Sequence, residues 1–442
     1  MIVYDTTYSA MKPGLSQRMK TMAPELAGFG CNAVKFPPFL NTKNPFSLGY
    51  DPRTDLDVGQ WEPLHITGAA KDLKSAIDTI HQHGMLVIQD WVNRQYGGPA
   101  PLYERGADGK PDHNLFPKPS KCFSPPQPRD TPFSGDDGPD DGILAAYQHS
   151  KGYMLEGKIQ AGKWQEQVLG IDGFRLDEAK GLPASVTRAW AEARPGLNYA
   201  EVYDGDPGML AYFVEQTGMP VLDFTRHFAY RAVSEGAPLS SLVGNGFCFR
   251  DPDHAYIYVE SNDTDGPYGI VNNKLWFYLD ALTMPCKGAL IFAKDYEVYN
   301  LAPEIRNLMW IATTFAIGRL AWEYVSDSLL CWSRDGDGGN TWSGGLFCGY
   351  SSDPINHRSE WVHTPFGPHR QLHDYTGHAP DVWTNQDGWA YFTFGPNEFG
   401  SAQNYVAYAP AGVNYQIPIA RRGRQGTGRF TDFSSITVRL GN

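Results

Sequence analysis

Four short segments hold the side chains best suited to chemistry. IQDWVNRQ at 88–95 carries Asp90, and GFRLDEAK at 173–180 carries Arg175 and Asp177. YAEVYDG at 199–205 carries Glu201, and YVESNDTD at 258–265 carries Glu260 and Asp263. Each begins with apolar residues of strand type and closes on acids. A single such carboxylate fits a salt bridge or a helix N-cap as well as a reaction. Several carboxylates gathered in one place repel one another, so their protonation states are driven apart and acid/base chemistry becomes available. Arg175 lies two residues before Asp177, which puts both on one face of a strand, cation beside acid.

Such a gathering needs elements that deliver the segments to one spot. The chain has 442 residues, about three times the ~150 residues of a single domain, which leaves two or three domains or one barrel with insertions. Short β-branched or aromatic runs alternate with amphipathic segments, the pattern of parallel strands joined by crossover helices. Strands are predicted at Ile2 to Tyr4, Ala33 to Phe36, Met85 to Asp90, Gly173 to Asp177, Leu197 to Val202, Val221 to Phe224, Ala255 to Glu260 and Ala289 to Phe292. Helices are predicted at Leu15 to Leu26, Ala69 to His83, Tyr153 to Leu169 and Ala302 to Ile317. Eight strand–helix repeats predict an α/β fold, a (β/α)8 TIM barrel, whose active site lies at the carboxyl ends of the strands, where the four segments end. A Pro-, Gly- and Asp-rich stretch breaks the rhythm and reads as an inserted irregular subdomain. After residue 322 only strands and turns follow, which predicts a C-terminal antiparallel β domain. The expected division is a barrel from 1–93 and 152–322, an insertion from 94–151, and the β domain from 323–442.

Composition narrows the function. Hydrophobic residues make up 41% and charged residues 19%, enough for a large core and too little charge for a disordered chain. With a net charge of -12 and no basic run longer than Arg421-Arg422, neither nucleic acid nor an anionic membrane is an expected partner. No apolar run approaches the ~20 residues that span a bilayer, and no signal-peptide pattern opens the chain. The expectation is a cytoplasmic protein, or a secreted one with its leader removed. Six cysteines without a C-x-x-C speak against a zinc ribbon or a thioredoxin-like site. Cys331 and Cys348 flank the turn-rich DGDGGNTWSGG and are the candidates for pairing across a hairpin.

Together the four segments resemble the α-amylase family of glycoside hydrolases, over nearly the whole chain. DWVNRQ (90–95), GFRLDEAK, AEVYDG (200–205) and VESNDT (259–264) are similar to its regions one to four, in order and at successive strand ends. GYDPRTDLDVGQ (49–60) resembles the loop that brings a tyrosine to the sugar, and LHDYTGHAPDVWTNQDGWAYF resembles its β-sandwich domain. The resemblance implies a retaining α-glycosidase acting on an α-linked oligo- or polysaccharide, with Asp177 as nucleophile, Glu201 as general acid and base, and Asp263 as transition-state stabiliser. It implies sugar-binding roles for Tyr50, Asp90, Gln95, Arg175, Lys180 and Asn262. Ionised neighbours are expected to keep the proton on Glu201, while Arg175 favours the ionised form of Asp177. A transglycosylase built on the same site, and a catalytically silent carbohydrate-binding protein, are the alternatives.

The sequence also departs from the family. Arg94 and Gln95 stand where region one reads Asn-His, Asn262 stands where region four has His, and Lys180 is followed by Gly181 where a His is usual. Gln95 and Asn262 are neutral amides of different reach, which implies an altered sugar preference. The missing Asn is ordinarily a calcium ligand. A guanidinium offers no acceptor atom, so no cofactor is expected and the family's Ca2+ site is expected to be absent or altered. Arg94 is expected instead to bridge acids of the insertion, such as Asp136, Asp137, Asp140 or Asp141.

Overall fold

A computed structural model of the chain describes all residues except 9–10, 99, 124–144, 147–151, 267–268, 338–344, 397–403, 415–422 and 440–442. Eight parallel strands close a barrel in sequential order. They are β1 (Ile2–Asp5), β2 (Ala33–Phe36), β3 (Leu86–Val92), β4 (Gly173–Asp177), β5 (Tyr199–Ala200), β6 (Val221–Leu222), β7 (Ala255–Tyr258) and β8 (Gly288–Phe292). The expected fold class is the one found. Sixth-strand pairing stops earlier than expected because the Asp223 carboxylate caps the next helix, accepting from the Arg226 N–H at 2.9 Å.

The crossover helices bury one stripe each. In α1 (Leu15–Gly28) the stripe is Leu15, Met19, Ala23 and Leu26, and in α2 (Ala70–Gln82) it is Leu73, Ala76, Ile77 and Ile80. Each fully buried Leu or Ile contributes about 1.5–3 kcal/mol, so these stripes outweigh the modest helix propensity of the segments. Helix α3 (Tyr153–Leu169) ends at Gly170, whose φ of 92° is open to glycine at little cost.

Inside the barrel the side chains form two layers. Val3, Ala33, Ile88, Tyr199, Tyr256 and Leu290 make an apolar plug. One strand step nearer the carboxyl ends, the inward positions change to charge: Asp5, Lys35, Asp90 and Arg175, all buried. Register explains the juxtaposition, since Asp5 pairs with Lys35 and Asp90 with Arg175 across neighbouring strands.

A second buried charge cluster joins the barrel to residues of the insertion. Asp55, Glu104, Lys118 and Lys158 are each 0% exposed. Lys158 of α3 donates to Asp55 Oδ1 and to the Val92 carbonyl, both at 2.7 Å. Lys118 pairs with Asp55 Oδ2 at 3.3 Å and with Glu104, whose carboxylate also accepts the N–H groups of Asp55 and Leu56.

Beyond α4 (Lys274–Thr283) and α5 (Ala302–Phe315), the C-terminal strands form a six-stranded sheet and a separate pair. The sheet includes β9 (Leu320–Val325), β10 (Leu329–Arg334), β11 (Leu346–Ser351), β13 (Gln371–Asp374), β14 (Val382–Trp383) and β16 (Tyr405–Pro410). The pair is β12 (Arg358–His363) with β15 (Trp389–Phe394). One face of the larger sheet packs on the barrel through Leu330, Trp332, Cys348 and Tyr350. The other meets the pair through Cys331, Phe347, Phe392 and Tyr408. Cys331 and Cys348 therefore point to opposite faces: Cys331 sits opposite Gly349 and Cys348 opposite Trp332, and both are free thiols. The expected pairing is corrected on that ground, since a one-residue offset sends side chains to opposite sides of a sheet. Among the described residues no helix is long and apolar enough to cross a membrane.

Candidate active site

Strand β4 delivers Arg175 and Asp177 to the same inner face, and Arg175 is the hub of the site. Its Nη1 donates to Asp90 Oδ1 at 2.8 Å and to Asp177 Oδ1 at 2.7 Å. Its Nη2 lies 2.9 Å from Glu201 Oε2 and 3.3 Å from Asp263 Oδ2. Four acids from four strand ends thus converge on one guanidinium. Asp177 and Glu201 are 8% and 6% exposed, while Asp263 stands at the exposed rim.

Glu178 completes the frame by its backbone. It adopts φ 45°, ψ 41°, a left-handed conformation that side chains other than Gly, Asn and Asp rarely take. In this pose its N–H donates to Glu201 Oε2 at 2.9 Å, and its carboxylate accepts from Arg94 Nη1 at 2.7 Å. Nothing in the composition of DEAK signals that turn. The role of Glu178 as anchor of both Glu201 and Arg94 was not legible beforehand.

The remaining residues singled out in the sequence lie as follows. Tyr50 donates its hydroxyl to Asp90 Oδ2 at 2.7 Å. Gln95, buried, donates to the Tyr50 carbonyl at 3.2 Å and reaches Asp177 Oδ2 at 3.4 Å. Asn262 donates to Asp263 Oδ1 at 2.9 Å. Lys180 sits farther out, bonded to Asp204 Oδ2 at 3.0 Å and the Tyr203 carbonyl at 3.1 Å. Tyr203, two residues past Glu201, is 47% exposed and backed by Phe224 and Phe228. It was not among the expected site residues. A cavity of ≈ 1170 Å³ opens beside the loop after β7, lined by Asp265, Lys274, Tyr299 and Glu304 among others, yet none of Asp177, Glu201 or Asp263 lines it. The charge constellation marks the chemistry, not this cavity.

Electrostatics separates the acids. Burial, assisted by Asp263 and Asp177 and opposed by Arg175, holds Glu201 well above the usual carboxylate range. Burial also pushes Asp177 up to about 7, with Asp90 and Asp263 adding to the shift against Arg175. Both expected influences are present, the neighbouring acids raising Glu201 and Arg175 lowering Asp177, but burial is the leading cause at each and carries Asp177 upward against Arg175. Asp90 differs: despite burial, Arg175 and Lys35 hold it below the usual range. Both Asp177 and Glu201 therefore hold a proton more readily than an ordinary carboxylate, while Asp90 beside them stays ionised.

Arg94, expected to meet acids of the insertion, pairs with Glu178. Asp136, Asp137, Asp140 and Asp141 lie outside the described residues. A buried, permanently charged guanidinium beside Glu178 does not fit a calcium ion, which takes six to eight oxygen ligands. Among the described residues no three His, Cys, Asp or Glu side chains are grouped to hold a metal.

Residues 350–408 match the family model described as Alpha-amylase C-terminal. An α-amylase of Bacillus licheniformis is 21% identical over 453 residues, covering 85% of this chain and 88% of its own. A glucan 1,4-alpha-maltohexaosidase of Bacillus sp. (strain 707) is 25% identical over 256 residues, 52% of this chain and 49% of its own. Among solved structures, the acarbose complex of a Geobacillus thermoleovorans α-amylase superposes with a TM-score of 0.69 at 14% identity, covering 92% of this chain and 97% of that one. An Anoxybacillus α-amylase gives 0.70 at 13% identity, covering 93% and 98%. At these identities the superpositions speak for the fold, and the residues speak for the chemistry.

Proposed function

We propose that this chain, an α-amylase-like glycoside hydrolase, cleaves α-linked glucan with retention, through a covalent glycosyl-enzyme. The observation that carries the reading is the sharing of Arg175: Asp177 on Nη1, Glu201 and Asp263 on Nη2. Carboxylates held by one guanidinium sit close together. That favours the retaining route, which needs about 5–5.5 Å between carboxyls, over the inverting route, which needs roughly 6.5–9.5 Å.

Asp177 Oδ1 is occupied by Arg175, so Oδ2, which Gln95 approaches at 3.4 Å, is the atom that attacks the anomeric carbon. Glu201 has Oε2 committed to Arg175 and the Glu178 N–H, so Oε1 carries the proton to the leaving oxygen. Its raised pKa keeps that proton in place until the bond breaks. In the second half, the now ionised Glu201 takes a proton from water, which attacks the anomeric carbon and releases Asp177. Asp263, at the rim, binds sugar hydroxyls as positive charge develops at the anomeric centre. Tyr50 offers a ring to the sugar from the position that its bond to Asp90 fixes, while Gln95 and Asn262 reach its hydroxyls and Lys180 borders a more distant unit.

The test is Asp177→Asn assayed on maltooligosaccharides. Turnover should fall at least on the order of 10³-fold with the fold intact, and NMR of the wild-type reaction should show the α-anomer forming first. First appearance of the β-anomer, or an active Asp177→Asn, would overturn the reading.

A further inference from the structure

We infer that Lys35 is a positioning residue of the site: by sharing the charge of Asp90 with Arg175, it lessens the hold of Asp90 on the guanidinium that also carries the three acids at the mouth. The inference rests on the roles proposed above for Asp177 and Glu201.

Lys35 lies in the middle of AVKF on β2, a stretch whose other side chains are apolar, and only 1% of it is exposed. A lysine that deep is destabilising unless acids meet it. Its Nζ lies 3.2 Å from both oxygens of Asp5, 2.9 Å from Asp90 Oδ2 and 3.3 Å from Thr7 Oγ1. Asp90 Oδ1 turns the other way, to Arg175 Nη1. Charges therefore alternate around the barrel interior: Asp5, Lys35, Asp90, Arg175, then the group of Asp177, Glu201 and Asp263. Five acids share two cations, so each cation matters. The charged and titratable groups facing Lys35 are Asp5 from β1, Asp90 from β3 and Arg175 from β4, with the Tyr199 phenol of β5 in the field of Asp5, Arg175 and Asp90. No atom of Lys35 reaches the mouth, where the sugar binds. Its influence passes through Asp90 and Arg175.

A lysine present for packing alone would leave the titration of the site unchanged. Lys35→Met keeps the chain length and removes the charge. Loss of a cation makes every nearby carboxylate harder to ionise, so both limbs of kcat/KM against pH should move upward, the acidic one by about one unit from its value near 7. At pH 6 this is roughly a further tenfold loss, borne by kcat with KM little changed. Asp5→Asn removes a negative charge from the same chain of groups, and should move the acidic limb downward. This second variant decides the matter if Lys35→Met does not fold. Superimposable pH profiles, or a change confined to KM, would overturn the inference. If Asp177→Asn remains active, the proposed chemistry fails; if it is inactive and neither variant moves the limbs, only the role of Lys35 fails.

Discussion

As the proposed nucleophile, Asp177 must be ionised to attack, and its surroundings oppose ionisation. Burial, Asp90 and Asp263 hold its pKa near 7 against the pull of Arg175. An ordinary aspartate, with a pKa of about 3.9, would stay ionised well below pH 5. Here half the enzyme is protonated at about pH 7, and each further unit of acidity removes a factor of ten, so kcat/KM at pH 5 should be about one-hundredth of its plateau. The assay is the initial rate of maltooligosaccharide cleavage at substrate far below KM, from pH 5 to 9 at constant ionic strength. Stability should show the same group with opposite consequence. A carboxyl whose folded pKa exceeds its unfolded one binds more protons when folded, so its contribution is full at low pH and is lost as pH rises from about 4 through 7. Asp177→Asn should therefore raise Tm at pH 8 while silencing the enzyme. A kcat/KM that stays level down to pH 5 would refute the reasoning about burial.

Two further outcomes are expected. Replacing Gln95 and Asn262 together by His should change the ratio of kcat/KM between two glucosides on the order of tenfold, because the two amides lie against Asp177 and Asp263 and are the proposed readers of sugar hydroxyls; an unchanged ranking would remove them from the sugar site. A strong chelator should leave Tm unaltered, since Arg94 is paired with Glu178 and offers a metal no acceptor atom. A marked fall in Tm, together with one calcium per chain by elemental analysis, would contradict this.

Much of the barrel was legible because parallel strands buried on both faces read as short β-branched runs between helical stripes. The second and fourth strands, Ala33–Phe36 and Gly173–Asp177, match their patterns end to end. Less visible was whatever depends on partners distant in sequence. Lys35 looks like an ordinary polar interruption until Asp5 and Asp90 arrive from other strands. Glu178 carries no local signature of its left-handed turn. Strand β12 reads as polar, RSEWVH, because most of its side chains are at least partly exposed, and its order comes from pairing with β15 along its length. The acids were found by type and position, but the raised pKa values of Asp177 and Glu201 come mainly from burial, which a sequence does not display.

The buried quartet of Asp55, Glu104, Lys118 and Lys158 has a consequence for exchanging parts between proteins. Two of its members, Glu104 and Lys118, lie within the stretch that interrupts the barrel, and two lie outside it. Each side supplies one acid and one lysine, so charge balances within each half; what crosses the boundary is hydrogen bonding, since Lys118 pairs with Asp55 as well as Glu104, and Glu104 accepts the Asp55 and Leu56 N–H groups. Losing the insertion's pair leaves those buried groups of the barrel side short of partners, at about 1–3 kcal/mol for each one left unsatisfied. A chimera that imports a foreign insertion but keeps Asp55 and Lys158 starts with that deficit, whatever the fit of its loops. The smallest transplantable module is thus the insertion plus the barrel-side segment that it bonds, and the boundary of the unit is drawn by buried hydrogen bonds, not by chain continuity.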